Sequence, residues 1–343
     1  MRQVLPLLLM LAGCSKALPP DGAIELIYAS PYSPSHPFSL ADHDWIRFVE
    51  QEGEGALRIR PIWSGALISS DQSMIELRHG VADIGLVTPI YAKGGAHLLR
   101  NQTGFYSGIT SQENQIALFH CLERLNGAIA EELDGLKVLA VQGGSLPGIL
   151  TRDRRVRTLA DLEGLRIRAP TELLPVMQAL GAEPISLPMG DVYSALAKGV
   201  IDGVIAPPDT LRSLHFAEVA EYYARLQIPR GAYPGRAMGI DRWRSLPQYV
   251  QDILERSVPV WESALIRRTT EAVEIGSRYG GEHGITETTL SEADQARFLE
   301  IYSRHAEEIA RDLERFDIDG MAVYRAARAS IAPDGTVNCK EGG

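Results

Sequence analysis

Between residues 158 and 210 the chain writes one local pattern twice: a short apolar strand, a stop, a helix and a closing glycine. Residues 165–169 read as a strand ended by Pro170, which bars the residue before it from α geometry. Thr171 is placed to cap a helix in which Leu173, Leu174, Met177 and Leu180 recur at helical spacing, and Gly181 closes it. The pattern then predicts a strand over 184–187, a helix over 191–198 closed by Gly199, and a strand over 200–206 stopped by Pro207 and Pro208. Two βαβ units in succession imply parallel strands with helices on the faces of the sheet, an α/β fold.

Arg168 is out of keeping with that architecture. Strands covered on both faces read as unbroken apolar runs, yet this arginine occupies the end of a strand just before Pro170. Strand ends of open α/β sheets border the crevice where ligands bind, and a guanidinium there presents a planar fork to a carboxylate. The spacing alone is also compatible with an edge or surface arginine.

The same stretch resembles the solute-binding proteins of TRAP transporters, the tripartite ATP-independent periplasmic family. The matching text is Asp161-Leu162-Glu163-Gly164-Leu165-Arg166-Ile167-Arg168, then Leu180-Gly181-Ala182, Asp191-Val192-Tyr193-Ser194-Ala195-Leu196 and Gly199-Val200-Ile201-Asp202-Gly203, in the family's order and spacing. The resemblance extends over roughly residues 22–330. It implies a two-lobe periplasmic binding protein-like fold, each lobe a mainly parallel sheet flanked by helices, with a long helix bracing both lobes. It also implies that Arg168 clamps the carboxylate of a bound solute, and that the partners are TRAP membrane permease subunits. On this reading lobe I comprises residues 21–143 with 230–262, lobe II comprises 144–229 with 263–332, and 333–343 form a tail.

Length and composition agree with an exported binding protein. With 343 residues, 45% of them hydrophobic, the chain has enough material for about two domains. A net charge of −10 argues against a nucleic-acid partner, which would require a basic face. The eight histidines are dispersed, without HExxH or Cys/His ligand spacing, and neither GxGxxG nor a P-loop occurs, so no metal and no cofactor is expected. Gly143-Gly144-Ser145-Leu146-Pro147 approaches the nucleophile elbow GxSxG, but Pro147 replaces the last glycine. A hydrolase would draw its partners from Asp202 or Asp209 and His215 or His283; a binding protein, not an enzyme, is expected. A sensory binding lipoprotein without a permease would carry the same lobes and site.

Residues 1–20 read as targeting sequence and linker. Arg2 supplies a positive start, residues 4–11 an apolar segment too short to span a bilayer, and Leu11-Ala12-Gly13-Cys14 resembles a bacterial lipobox. Cleavage before Cys14 would leave a lipidated cysteine and anchor a periplasmic protein to a membrane. Cys121 shares a helical stripe with Leu118, Leu122 and Leu125 and reads as a small core residue. Cys339 sits in a polar, glycine-ended tail expected to be poorly ordered; an oxidising compartment permits a bridge between the two, but none is expected.

In the first lobe, strands are expected over 24–29, 57–62 and 83–87, with helices starting at Ser39 and over 70–79 between them. A helix over 111–133 and a strand over 136–141 lead to the glycine-rich segment 142–148, where the chain is expected to pass to the second lobe, returning near 227–233. Later helices are expected over 246–280, with Pro259 kinking it, over 291–316 and over 321–331.

The cleft expected from this layout is lined at strand ends and crossovers. Ser30, Thr88, Ser145, Thr171 and Pro207 fall at such positions, and Met189 falls where relatives often place an aromatic side chain. The family's asparagine after the GxVDG strand is replaced by Ala206, and the second arginine that some relatives carry falls at Gly148. One strong charged anchor therefore remains. Trp63, Tyr91, Phe105, Tyr106 and Tyr233 lie in segments able to face the cleft, which points to a monocarboxylate with an apolar or aromatic body.

Overall fold

The computed structural model describes residues 22–340; the lipobox and its Cys14 lie outside the described residues. The first sheet is built from β1 (Ile24–Ala29), β2 (Leu57–Ile62), β3 (Ile84–Leu86) and β4 (Leu136–Gln142). The chain then crosses to a second sheet of β5 (Gly148–Thr151), β6 (Arg166–Arg168), β7 (Glu183–Ile185), β8 (Gly203–Ala206) and β9 (Tyr222–Arg225). It returns as β10 (Tyr233–Gly239) and finally adds β11 (Thr286–Thr289) to the second sheet. The orders are β2-β1-β3-β10-β4 and β11-β9-β5-β8-β6-β7.

β1, β2 and β3 run parallel, as do β6, β7 and β8, which are the two βαβ sets that the sequence pattern implies. The sheets are nevertheless mixed. β10 is antiparallel to β3 and β4, and β5 is antiparallel to β8 and β9, because a direct crossing without an intervening helix delivers each strand in the opposite sense. The helix expected over 111–133 is broken at Asn126, which is extended and accepts a hydrogen bond from the Ala128 amide at 2.9 Å, so that it caps a new helix, Gly127–Glu132.

The long helix Gln248–Glu282 continues through Pro259 and joins both halves. Its Trp261 and Leu265 belong to the first-half core, while at Gly276 an added Cβ would fall 2.3 Å from the Pro208 carbonyl oxygen. Glycine there lets the segment after β8 rest on the helix backbone. The segment after residue 263, expected with the second lobe, divides between the cores. In helix Glu292–Asp312, Phe298 and Tyr302 pack with Ile167 and Leu173, whereas Ala306 and Ala310 pack with Phe105 and Leu118 of the first half. The last helix, Gly320–Ser330, joins the first-half core through Val323 and Ala327.

A buried charge pair organises the first half. Asp42 and Arg236 have no exposed side-chain surface; Arg236 Nε donates to Asp42 Oδ1 at 2.8 Å, and Nη1 donates to Gln142 Oε1 at 2.9 Å. Tyr28 and Trp261 also donate to Asp42, at 2.5 and 2.9 Å, and Trp45 stacks on Trp261 with centroids 3.8 Å apart. Four elements distant in sequence thus share one carboxylate. Such a pair stabilises little by itself, but removing one partner strands the other charge in a dry interior.

The tail corrects the expectation of disorder. Cys121 and Cys339 form a disulfide, and Ile331 bridges Val337 so that the chain folds back beside the helix carrying Cys121. A pairing across 218 residues has no local signature in the sequence. Closing so long a loop restricts the unfolded chain, so Cys339→Ser should lower unfolding free energy by about 2–5 kcal/mol in chemical denaturation, and reductant should do the same to the wild type only. Asp42→Ala should cost about 3–5 kcal/mol in the same assay by leaving Arg236 unpaired.

Candidate functional site

The carboxyl ends of parallel strands from both sheets meet at one seam. β3 runs into Thr88 and the turn Pro89–Tyr91, β6 ends at Arg168 before Pro170, and β8 leads into Pro207 and Asp209. Contacts cross the seam there. Arg168 Nη2 donates to the Tyr91 hydroxyl at 2.7 Å, and its guanidinium carbon stands 5.5 Å from the centre of the Tyr91 ring. Thr171 Oγ1 donates to the Ile90 carbonyl at 3.4 Å.

Arg168 is only 2% exposed. Its Nε donates to the Leu187 carbonyl at 2.9 Å, which fixes the fork, but no carboxylate among the described residues forms an ion pair with it. Arg166, two residues earlier, contrasts with it: half exposed, it is held by Asp202 through bonds of 2.9 and 2.6 Å. Burying a charge without an ion-pair partner is costly, and Arg168 carries that cost at the seam.

Two adjoining cavities, of about 80 and about 60 Å³, occupy the seam. Arg168, Tyr91, Glu172, Met189, Arg230 and Tyr233 border the first; Tyr32, His36, Thr88, Ser145 and Asp209 border the second, which shares Tyr91, Met189, Pro207, Arg230 and Tyr233 with it. A wider hollow of about 570 Å³, bordered by Lys93, His97 and Glu131, is formed by the first half alone. Hollows of about 530 and about 1090 Å³ also take walls from both halves, but the seam cavities are the ones bordered by the buried Arg168, which has no ion-pair partner among the described residues.

Among the expected cleft residues, Arg168, Thr88, Tyr91, Ser145, Met189, Pro207 and Tyr233 border the cavities, and Thr171 ties the seam beside them. Ser30 and Trp63 do not. Ser30 is 1% exposed and accepts from the Tyr32 amide at 3.3 Å, holding the turn after β1. Trp63 follows the edge strand β2 and packs edge-on against Tyr28, 5.5 Å away, in the first-half core. Phe105 and Tyr106 are fully buried in that half as well. The hydrolase constellation is not assembled: His215 bonds Glu218 at the surface, His283 bonds the Tyr279 carbonyl, and Asp202 is held by Arg166.

Three charged groups were missing from the expectation of a single anchor. Arg230, in the return crossover, borders both cavities and lies across Gly144, where an added Cβ would fall 2.2 Å from the guanidinium carbon. Burial pushes the Glu172 carboxyl up to about 7 and Asp209 up to about 6, against the pull of the nearby arginines. Burial and the charge of Arg236 hold the His36 imidazole down at about 3, so this wall of the cavity stays neutral. Glycine at 144, a proline-flanked arginine and an acidic residue four positions after Arg168 were the available signals.

Residues 28–312 match the family described as bacterial extracellular solute-binding protein, family 7. The chain is 25% identical over 218 residues to a monocarboxylate 2-oxoacid-binding periplasmic protein of a Nostoc species, covering 60% of this chain and 57% of that one. A TRAP periplasmic solute-binding protein from Desulfovibrio salexigens superposes with a TM-score of 0.73 at 25% identity, covering 89% of this chain and 95% of the other. A TRAP solute-binding protein from Rhodoferax ferrireducens, solved with copurified benzoate, shares the fold with a TM-score of 0.79 at 21% identity, covering 90% and 97%. By a family match that spans most of its length, the chain belongs to family 7 of the bacterial extracellular solute-binding proteins, the DctP-type binding proteins of TRAP transport.

Proposed function

We propose that this protein captures a small organic acid between its two halves and hands it to a TRAP-type permease, with Arg168 as the carboxylate clamp. The observation that carries this reading is the guanidinium of Arg168, 2% exposed, oriented by Leu187 and Tyr91 and without an ion-pair partner among the described residues. A bidentate carboxylate supplies the missing charge and hydrogen-bond acceptors together.

Cavity size bounds the solute. An apolar void of about 150 Å³ accommodates benzene, so adjoining spaces of about 80 and about 60 Å³ suit an acid with a short or single-ring body. Met189, Pro207, Ile90 and the faces of Tyr91 and Tyr233 supply apolar walls for that body. The 2-oxoacids and benzoate bound by the relatives are small carboxylates of this kind. Entry requires the halves to part, and the crossovers between β4 and β5 and between β9 and β10 are the natural hinges.

An extracytoplasmic place is supported by the Cys121–Cys339 disulfide, since such bonds persist in oxidising compartments. The Leu11-Ala12-Gly13-Cys14 text supports anchoring through a lipid on Cys14. With the Cys14→Ser variant, the protein should move from the membrane to the soluble fraction after cell fractionation; retention in the membrane would refute the anchor.

Hydrogen bonds to charged groups contribute about 1.5–3 kcal/mol net, so Arg168→Ala should weaken binding of the preferred acid by about ten- to a hundredfold or more in calorimetry. Because the variant removes a charge that the ligand-free chain leaves uncompensated, its own melting temperature should hold steady or rise. Equal affinity in the variant, across a panel of small carboxylates, would overturn the clamp.

A further inference from the structure

The cavity that holds the clamp also carries a buried acid. Glu172 lies in the turn that follows Arg168 and Pro170, is 3% exposed, and borders the same cavity as Arg168, Tyr91, Arg230 and Tyr233. Its Oε2 has no hydrogen-bond partner among the described residues. An oxygen so placed, buried and unpaired on the wall of a cavity, is a contact held in reserve for something that enters.

The surroundings decide which form of this carboxyl is stable. The turn Thr171–Leu173 packs against helix Glu292–Asp312, the segment Gln102–Tyr106 and helix Leu174–Ala179. From the first comes the Tyr302 hydroxyl, neutral and without a hydrogen-bond partner among the described residues; from the second come the Thr103 hydroxyl and the neutral phenol of Tyr106; the third contributes no titratable group. Arg168 and Arg230 are the cations that face it, and Asp209 borders the adjoining cavity beyond Arg230. Burial outweighs these arginines and leaves the carboxyl at about 7, ready to be tipped by one more neighbouring charge.

An incoming carboxylate is that charge. Seated on Arg168 inside a space of about 80 Å³, the solute's anion stands close to Glu172 and takes up the favourable field of the arginines that would otherwise stabilise a glutamate. Two carboxylates cannot both remain ionised in so small a site, whereas a neutral carboxyl donates its O–H to an oxygen of the solute and satisfies both groups. We propose that Glu172 makes capture proton-linked: it binds the solute in its neutral form, as a hydrogen-bond donor, so that wherever Glu172 is ionised beforehand each anion enters together with one proton. This inference rests on the reading of the seam as an organic-acid site and specifies the ionisation state in which that site works.

Linkage gives the sign. The solute acids are fully ionised well below neutrality, so their own titration does not intervene. The neutral Glu172 needed for binding is present below about pH 7 and becomes scarce above it. Affinity should therefore be flat in mildly acidic solution and fall by about tenfold per pH unit above neutrality.

The experiment is calorimetry of the full chain with pyruvate and with benzoate as probes, from mildly acidic to alkaline pH. At an alkaline pH it is repeated in two buffers of different ionisation enthalpy, which counts protons. The expected result is the tenfold slope with close to one proton taken up per anion. Glu172→Gln should abolish both and keep tight binding at alkaline pH. A flat profile with no proton uptake in the wild type, or an unchanged slope in Glu172→Gln, overturns the proposal while leaving acid capture intact; if the glutamine variant fails to fold, the wild-type proton count still decides. Should neither acid bind at any pH, the acid-capture reading falls and takes this inference with it.

Discussion

An arginine buried without a counter-charge is the constraint that the two halves share. Both Arg168 and Arg236 are almost wholly removed from solvent, but Arg236 bonds Asp42 and Gln142, whereas the hydrogen bonds of Arg168 among the described residues go to a carbonyl and a phenol. The first arginine is neutralised by a carboxylate inside the core. The second leaves a buried charge at the seam without an ion-pair partner among the described residues, which is the observation behind the proposed capture of an anion there.

The scaffold ties the two halves together through shared helices. Helix Gln248–Glu282 is rooted by Trp261 and Leu265 in the first core and carries the segment after β8 on its bare surface at Gly276. Helix Glu292–Asp312 feeds Phe298 and Tyr302 to one core and Ala306 and Ala310 to the other. The disulfide ties the tail back to helix Gln112–Leu125, so this covalent link stiffens the first half and does not bind the halves to each other. Arg168 and Tyr233 border the cavity from strand ends, whereas Ser145, Glu172, Met189 and Arg230 border it from short turns and crossovers, where small changes of backbone angle move whole side chains.

Several parts of this were legible from residues alone. The βαβ grammar around Pro170, Gly181 and Gly199 carries enough stop signals to define the parallel strands, and Arg168 was conspicuous because a strand covered on both faces has no use for a charge. Other residues misled for physical reasons. Trp63 follows a strand like the true border residues, but that strand lies at the sheet edge, and its indole turns to Tyr28. Asn126 interrupts a convincing helical stripe because an asparagine cap competes with helix continuation, a contest that periodicity does not register. Glu172 reads in sequence as an ordinary acidic residue in a first helical turn, and the packing of helix Glu292–Asp312 and the segment Gln102–Tyr106 against that turn makes it a buried acid.

By itself, then, the sequence determined the local elements, the α/β class and the one strand-end arginine, because these follow from short-range rules of spacing, proline and glycine geometry and apolar periodicity. Tertiary structure alone decided that β5 and β10 enter their sheets antiparallel and that Cys121 meets Cys339. It also decided that Arg230 and Glu172 stand with Arg168 around one cavity. Those outcomes depend on contacts between residues far apart in the chain, and on how much water the folded neighbours exclude, quantities that exist only once the chain has closed on itself.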